Sequence, residues 1–362
     1  GKTESIIQIN GTLSEPFKVT RGIRQGCPLS PILYVLISET VINYIRNMKS
    51  IIGLKIFGNE YKITNYADDT NFFLQDFGAV KEIFHTYTLF QQASGATLKK
   101  EKTKILFLNK TSLHLTIPRH YEQYVISDMK LYGIHFDKNG VNTEQNISNF
   151  DTSLRNLKNR YVGPETSFWA RCRIADTYYL TLLWFSGLFT CISDEKIREV
   201  EKITGRFIWS PAKKNLVNMK TIKNKPCDGG LGLTDISCKL KALSLMAWIR
   251  LKEKNCPLTL HFYETVKNLT LAMLKKFTCP ILFRRIRETE ILLGIEYTNQ
   301  GLVIANKMIQ YSTLKTKHIF ENLVAVLIPK VNLDYWVIRL DENENNLRKY
   351  LKLNQCKYSD GS

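Results

Sequence analysis

The sequence of 362 residues predicts an α+β chain, mixed over residues 1–137 and mostly helical after that. Three observations carry this. Asn10-Gly11, the strongest short turn signal, stands between the strand-like runs Ser5–Ile9 and Phe17–Thr20. Tyr61–Phe77 reads YKITNYADDTNFFLQDF, in which the apolar runs Lys62–Tyr66 and Asn71–Leu74 flank Ala67-Asp68-Asp69-Thr70. That pattern is a β-hairpin with two adjacent carboxylates at its tip. From Glu144 onward, apolar residues recur at helical spacing through Trp209.

The elements follow in order. After the first strand pair comes RGIRQGCPLSP, Arg21–Pro31, where Ser30 suits an N-cap and Pro31 the first helical position. The helix is expected to run to about Lys49, with Leu33, Ile37, Val41, Tyr44 and Met48 as its apolar stripe. Gly53 and Gly58 break the chain before the Tyr61–Phe77 hairpin. Asp76 can cap a helix over Ala79–Ser94, striped by Val80, Ile83, Phe84, Tyr87 and Phe90 and ended by Gly95. A lysine-rich segment leads into a strand at Ile105–Leu108, and a second strand pair is expected at Tyr124–Ser127 and Lys130–Phe136, with Asp137–Gly140 as its exit turn. Helices are expected over Glu144–Tyr161, Ser167–Ile192 and Asp194–Trp209. Pro226–Thr234, PCDGGLGLT, is a glycine-rich turn; it lacks the Gly-Lys-Ser/Thr ending of a phosphate-cradling loop. Past Pro257 the sequence reads as helical and basic.

Composition narrows the classes. Hydrophobic residues make up 44% and aromatics 11%, which excludes a disordered polymer. Lys and Arg outnumber Asp and Glu by 51 to 33, a net +18, which points to a polyanionic partner, nucleic acid or an anionic membrane, against the plainer alternative of a generally basic protein. Arg206–Lys225 carries six basic residues and no acid, with Trp209 among them. Arg206, Trp209, Lys213 and Lys214 therefore stand as candidate nucleic-acid contacts, against the alternative of a solvated loop. None of the eight cysteines forms a Cys-x-x-Cys pair, which argues against a zinc site. Thr177–Ser193 is uncharged but short for a membrane span, so a buried helix and no membrane partner are expected. The chain starts at Gly1 in strand-like sequence and is expected to be a piece of a longer polypeptide.

Two adjacent carboxylates repel, and a fold that holds them together often does so around a divalent cation. The plainer alternative is that Asp-Asp is simply a good turn dipeptide.

Together these segments resemble the reverse transcriptase of non-LTR (LINE-type) retrotransposons over residues 5–255. Arg21–Pro31 is similar to motif B, Asn65–Asp69 (NYADD) to motif C, Ser94–Lys104 (SGATLKKEKTK) to motif D, and Met129–Asp137 (MKLYGIHFD) to the motif E hairpin. Phe168–Trp209 and Asp228–Leu233 (DGGLGL) resemble the thumb and the region behind it. Motif D departs from the pattern at Lys99, where the family usually has Asn.

The resemblance implies a partial polymerase palm over residues 1–137, an antiparallel sheet with packed helices. A helical thumb with a basic linker would follow over 138–255, and a helical extension over 256–362. It implies RNA-directed DNA synthesis, in which two Mg²⁺ ions (Mn²⁺ as substitute) stabilise the attacking and leaving oxygens. Asp68 would be the main ligand, with Asp69 beside it. Tyr66 would pack near the incoming nucleotide or primer end. Arg24, Gln25 and Gly26 would line the nucleotide and template pocket, and Lys102 would face the leaving pyrophosphate. Partners would be an RNA template, a DNA primer, deoxynucleoside triphosphates and the upstream part of the same polyprotein, in the nucleus at the site of integration.

The family's motif A aspartate is expected upstream of motif B, where this chain offers only Glu4 and Glu15, so the chain alone is expected not to polymerise. The alternative is a transposon remnant acting only as a basic RNA- or DNA-binding protein. Tyr358–Ser362 resembles the opening of a ribonuclease H domain, against the alternative of a plain tail.

Overall fold

The structure, a computed structural model, describes residues 4–19, 26–108, 117–148, 156, 166–210, 217–277 and 279–327. The chain is mixed α and β and divides into two compact units, residues 1–105 with 114–125, and residues 106–113 with 126–362.

In the first unit, Asn10-Gly11 (φ 49° and 85°) turns β2 (Gln8–Ile9) into β3 (Thr12–Leu13), and β1 (Glu4–Ser5) pairs with β4 (Phe17–Lys18) below it. Helix α1 spans Leu29–Asn47. It starts ahead of the expected Ser30 cap, because Pro28 already has helical angles (φ −60°, ψ −27°) and Ser30 is buried inside the first turn. The expected stripe is also displaced. Val41, Ile42 and Ile45 are the buried apolar residues, whereas Ile37 and Tyr44 are 50% and 60% exposed.

Gly53 and Gly58, expected only as breaks, belong to a further hairpin of β5 (Leu54–Ile56) and β6 (Asn59–Tyr61), with Phe57-Gly58 as its turn. The expected carboxylate hairpin forms from β7 (Ile63–Tyr66) and β8 (Asp69–Phe72). Helix α2 (Gly78–Ser94) has Asp76 Oδ1 accepting from Ala79 N at 2.9 Å and ends on Gly95 in the left-handed region. Val41, Ile42, Ile45, Ile51, Ala79 and Ile83 form the core, with Ile63, Phe72 and Leu74 packed on it. The hairpin is thus seated on α1 and α2. Strand β9 (Ile105–Leu106), helix α3 (Arg119–Glu122) and strand β10 (Val125–Ile126) follow, Ile105 N donating to the Tyr124 carbonyl at 2.7 Å. The described strands of this unit form separate two-stranded ladders, without a continuous sheet.

In the second unit, β11 (Asp128–Leu131) and β12 (Ile134–Asp137) form a hairpin through Tyr132-Gly133, and β13 (Gly140–Val141) extends it. Helix α4 covers Thr143–Ile147; apart from Ser148 and Asn156, the rest of the helix expected to Tyr161 lies outside the described residues. The helix expected over Ser167–Ile192 is realised as α5 (Phe168–Ile174), a π-helical segment at Ala175–Leu180, and α6 (Thr181–Phe189). Helix α7 (Asp194–Ile208) is capped by Ser193. After α8 (Met219–Ile222), the long helix α9 (Ile236–Glu253) lies between two cores. Its Ile236 and Leu240 join Tyr179, Leu183, Phe207 and Trp209, while Leu245 and Trp248 join Phe283, Ile286 and Leu323.

Beyond α9 stand α10 (Pro257–Val266), α11 (Leu271–Lys276), α12 (Ile281–Leu293) and α13 (Thr316–Leu327). The extension expected to be helical also carries a small sheet. β14 (Glu296–Tyr297), β15 (Gly301–Ile304) and β16 (Lys307–Gln310) form an antiparallel sheet, in which Leu302 and Ile304 point into the core. Among the described residues no helix is long and apolar enough to cross a membrane.

Candidate functional site

The β7–β8 ladder pairs Ile63 with Phe72, Thr64 with Asn71, Asn65 with Thr70 and Tyr66 with Asp69, leaving Ala67 and Asp68 as a two-residue turn. Asp68 and Asp69 are both exposed at the tip, and Tyr66 beside them is 74% exposed. The turn differs from four other hairpin turns in the chain, at Asn10-Gly11, Phe57-Gly58, Tyr132-Gly133 and Ala305-Asn306. Those have positive φ at both central residues; here only Ala67 does, at 53°.

Side chains beneath the tip are tied together. Thr70 Oγ1 donates to Asn65 Oδ1 at 2.6 Å, and Asn65 Nδ2 donates to the Ala67 carbonyl at 3.2 Å. Tyr87 of α2 packs edge-on against Phe72, with ring centroids 6.1 Å apart. Burial raises the Tyr87 phenol above its ordinary value, and a contact with the Thr70 side chain offsets part of that rise. On α1, burial likewise raises the Tyr34 phenol, and the charge of Asp68 adds to it. Asn65, Thr70, Tyr34 and Tyr87 are residues around the site to which sequence reasoning gave no role there. Asn65 and Thr70 lie within the NYADDT run, and their cross-strand register was the available signal.

The carboxylates can be weighed as a metal site by their donors. Mg²⁺ is usually held by one or two carboxylates plus waters and substrate phosphates, so Asp68 and Asp69 fit the protein's share for a single ion. Among the described residues no group of three or more His, Cys, Asp or Glu side chains comes together to hold a metal.

The other expected site residues are placed as follows. Gly26 has φ 86° with no atom within 4 Å of where a Cβ would stand, so backbone conformation, not crowding, calls for glycine there. Arg24 and Gln25 lie outside the described residues. Lys102 is exposed at the end of a short 3₁₀ turn, Lys100–Lys102. The motif E-like segment is the β11–β12 hairpin, whose Gly133 passes over the Phe185 ring; a Cβ there would stand 3.2 Å from Cε1.

The basic stretch is corrected in two places. Trp209 is 5% exposed and packs on Phe168 with centroids 4.8 Å apart, so its ring is a core element and not an open stacking plane. Lys223 is committed to Glu201 and Asp235, at 2.5 and 2.6 Å. Arg206, Lys220 and Lys225 are exposed, Lys225 with Glu321 at 3.4 Å; Lys213 and Lys214 lie outside the described residues.

The glycine-rich loop is a structural lock. Leu231 and Leu233 N donate to the Ile222 carbonyl, Gly232 N donates to the Asn224 carbonyl, and Arg173 Nη2 donates to the Leu231 and Gly232 carbonyls. A Cβ on Gly230 would fall 2.0 Å from the Asn224 oxygen, which is why glycine stands there.

Residues 2–146 match the reverse transcriptase (RNA-dependent DNA polymerase) family. Over 274 residues, 74% of this chain, the sequence is 21% identical to the "Transposon TX1 uncharacterized 149 kDa protein" of Xenopus laevis. The aligned stretch covers 21% of that protein, so the chain spans about a fifth of the length of the curated relative it matches.

Proposed function

We propose that this chain is part of an RNA-directed DNA polymerase of the LINE type, with Asp68 and Asp69 contributing to a two-metal nucleotidyl-transfer site. The observation that carries the reading is the β7–β8 turn, which presents both carboxylates at an exposed tip inside the segment that matches the family. Mg²⁺, bound there, would supply charge stabilisation for phosphoryl-oxygen chemistry. The chain's own residues orient and bind. Tyr66 offers an exposed ring beside the carboxylates for a base or sugar, and Lys102 an exposed cation for phosphate. Gly26, at positive φ, lies within the motif B-like segment just ahead of α1, the helix on which the hairpin is seated. RNA template, DNA primer and deoxynucleoside triphosphates are the partners on this reading, with a third carboxylate supplied from outside the described residues.

Primer extension on an RNA template with Mg²⁺ or Mn²⁺ tests it. The chain alone is expected to incorporate no nucleotide, and a longer polypeptide containing it to incorporate nucleotides in a manner abolished by Asp68→Ala. Incorporation by the longer polypeptide that survives Asp68→Ala overturns the assignment of the site. Incorporation by the chain alone that is lost on Asp68→Ala overturns the need for an outside donor.

A second reading, a basic RNA- or DNA-binding protein without catalysis, is favoured by one observation, the net charge of +18. Because Trp209 is buried, its contacts would be to phosphate through Arg206 and its basic neighbours, and binding would be steeply salt-dependent and indifferent to sequence. Such binding without nucleotide incorporation by the longer polypeptide would support it.

A further inference from the structure

We propose that Asn65 and Thr70 are positioning residues for the Asp68–Asp69 pair, acting as a clamp on a turn that its own sequence does not favour. The inference rests on the carboxylates holding a divalent cation, as read above.

With positive φ at its first central residue only, the turn is a conformation in which glycine is preferred at that position. Here the residue is Ala67, at φ 53°. A side chain in the left-handed region costs on the order of 1 kcal/mol, so the Ala67-Asp68 dipeptide alone would drift towards other loop geometries. Strain of this kind persists where the surroundings over-determine it.

The surroundings here are two side chains. Asn65 uses both ends of its amide: Nδ2 donates to the carbonyl of Ala67, the strained residue, and Oδ1 accepts from Thr70 across the ladder. The carbonyl held this way belongs to the peptide joining Ala67 to Asp68, so the clamp fixes the plane from which the Asp68 side chain departs. Thr70 directly follows Asp69, and the Asn65–Thr70 pair stands next to the Tyr66–Asp69 pair on the ladder. The same two residues therefore set the backbone on both sides of the carboxylate pair. Asp68 and Asp69 themselves are exposed, and no packing of their own side chains does this work.

A purely structural clamp would contribute only to hairpin stability. A positioning clamp also sets cation affinity. The test is Mn²⁺ binding to the full chain, followed by electron paramagnetic resonance, with melting temperature recorded alongside. Unmodified protein is expected to bind Mn²⁺ in a manner lost on Asp68→Asn. Thr70→Val and Asn65→Ala are expected to weaken binding about tenfold, the lower end of what supporting residues of metal ligands contribute. Thr70→Ser, which keeps the hydroxyl, is expected to restore it. Ala67→Gly, which relieves the strain, should recover most of the affinity lost in Thr70→Val, and this second variant serves if either single variant folds poorly.

Mn²⁺ affinity that depends on Asp68 yet is unchanged by Thr70→Val and Asn65→Ala overturns the clamp and leaves the metal reading intact. Failure of Ala67→Gly to rescue Thr70→Val overturns the strain argument. Absence of Asp68-dependent Mn²⁺ binding in the unmodified chain overturns the metal reading, and the clamp falls with it.

Discussion

Replacing Lys223 with Met separates a fold residue from a nucleic-acid residue within one basic stretch. Lys223 Nζ lies 2.5 Å from Glu201 on α7 and 2.6 Å from Asp235, and Asp235 Oδ1 caps α9 by accepting from Cys238 N at 2.8 Å. The three side chains are only 9%, 20% and 12% exposed, so solvent screening is slight. Burial alone would lower the Lys223 ammonium and raise the Asp235 carboxyl. The ion pairs outweigh it, leaving Lys223 raised and Asp235 lowered. Removing the cation leaves two carboxylates facing each other in the interior, which costs about 3–5 kcal/mol. For a unit of this size that is a fall of about 10 °C in melting temperature.

The pH dependence has a definite sign. Asp235, depressed, contributes stability above its unfolded pKa of about 4 and loses it as pH falls through the folded value. Lys223, raised, contributes below about 10.4 and loses it as pH rises through its folded value. The pair therefore stabilises the fold across the whole neutral range. In Lys223→Met the orphaned carboxylates gain from protonation, so the deficit against the parent is expected to shrink on going from pH 7 to pH 5. Thermal unfolding followed by circular dichroism at both pH values, with RNA filter binding on the same samples, reads this out. A melting temperature within about 2 °C of the parent, less than a 1 kcal/mol effect would give, together with weaker RNA binding would refute the reasoning and return Lys223 to the surface set.

Gly230→Ala puts a Cβ 2.0 Å from the Asn224 carbonyl oxygen and 2.6 Å from that of Thr221, and urea unfolding is expected to show a loss of more than about 3 kcal/mol. Ile32→Glu combined with Leu36→Lys replaces side chains 58% and 62% exposed; soluble yield should rise and dye binding to exposed apolar surface should fall, with melting temperature unchanged. Cys172 is fully buried and its thiol is pushed up to about 11, by burial first and Asp176 second, so a thiol reagent at pH 8 should label exposed Cys191 and Cys227 long before it.

Local signals were the legible part of this sequence. The hairpins at Asn10-Gly11 and Asp68-Asp69, the Asp76 and Gly95 bounds of α2, and the start of α7 all follow from residues within a few positions of one another. What escaped depended on partners remote in sequence. The face that α1 buries is set by Ile51, Ala79 and Ile83, so the spacing of its own apolar residues found Val41 and Met48 but also took in Ile37 and Tyr44, which are exposed. Trp209 reads as an aromatic in a basic loop until Phe168 packs on it and the core takes it in. The sheet at 296–310 hides in a helical, basic context, because its turn at Ala305-Asn306 carries no glycine. At the candidate site the two carboxylates were legible as a motif, but their clamp was not, since the Asn65–Thr70 pairing is a property of register.

Two features of the first unit meet at Tyr34. From Leu29 to Ile37, α1 exposes seven large apolar side chains, Tyr34 among them. Burying them would be worth on the order of 10 kcal/mol, and a patch of that kind exceeds what monomeric surfaces usually carry. Burial raises the Tyr34 phenol, and the charge of Asp68 adds to that rise. On the two-metal reading proposed above, the segment that supplies the further donor also covers this part of α1. A segment supplied in trans that completes the metal site is therefore expected to quench dye binding at the same stoichiometry at which it tightens Mn²⁺. Ile32→Glu, which leaves the carboxylates untouched, should weaken both effects together. Mn²⁺ affinity that rises while the dye signal stays constant would overturn the placement of that segment on α1.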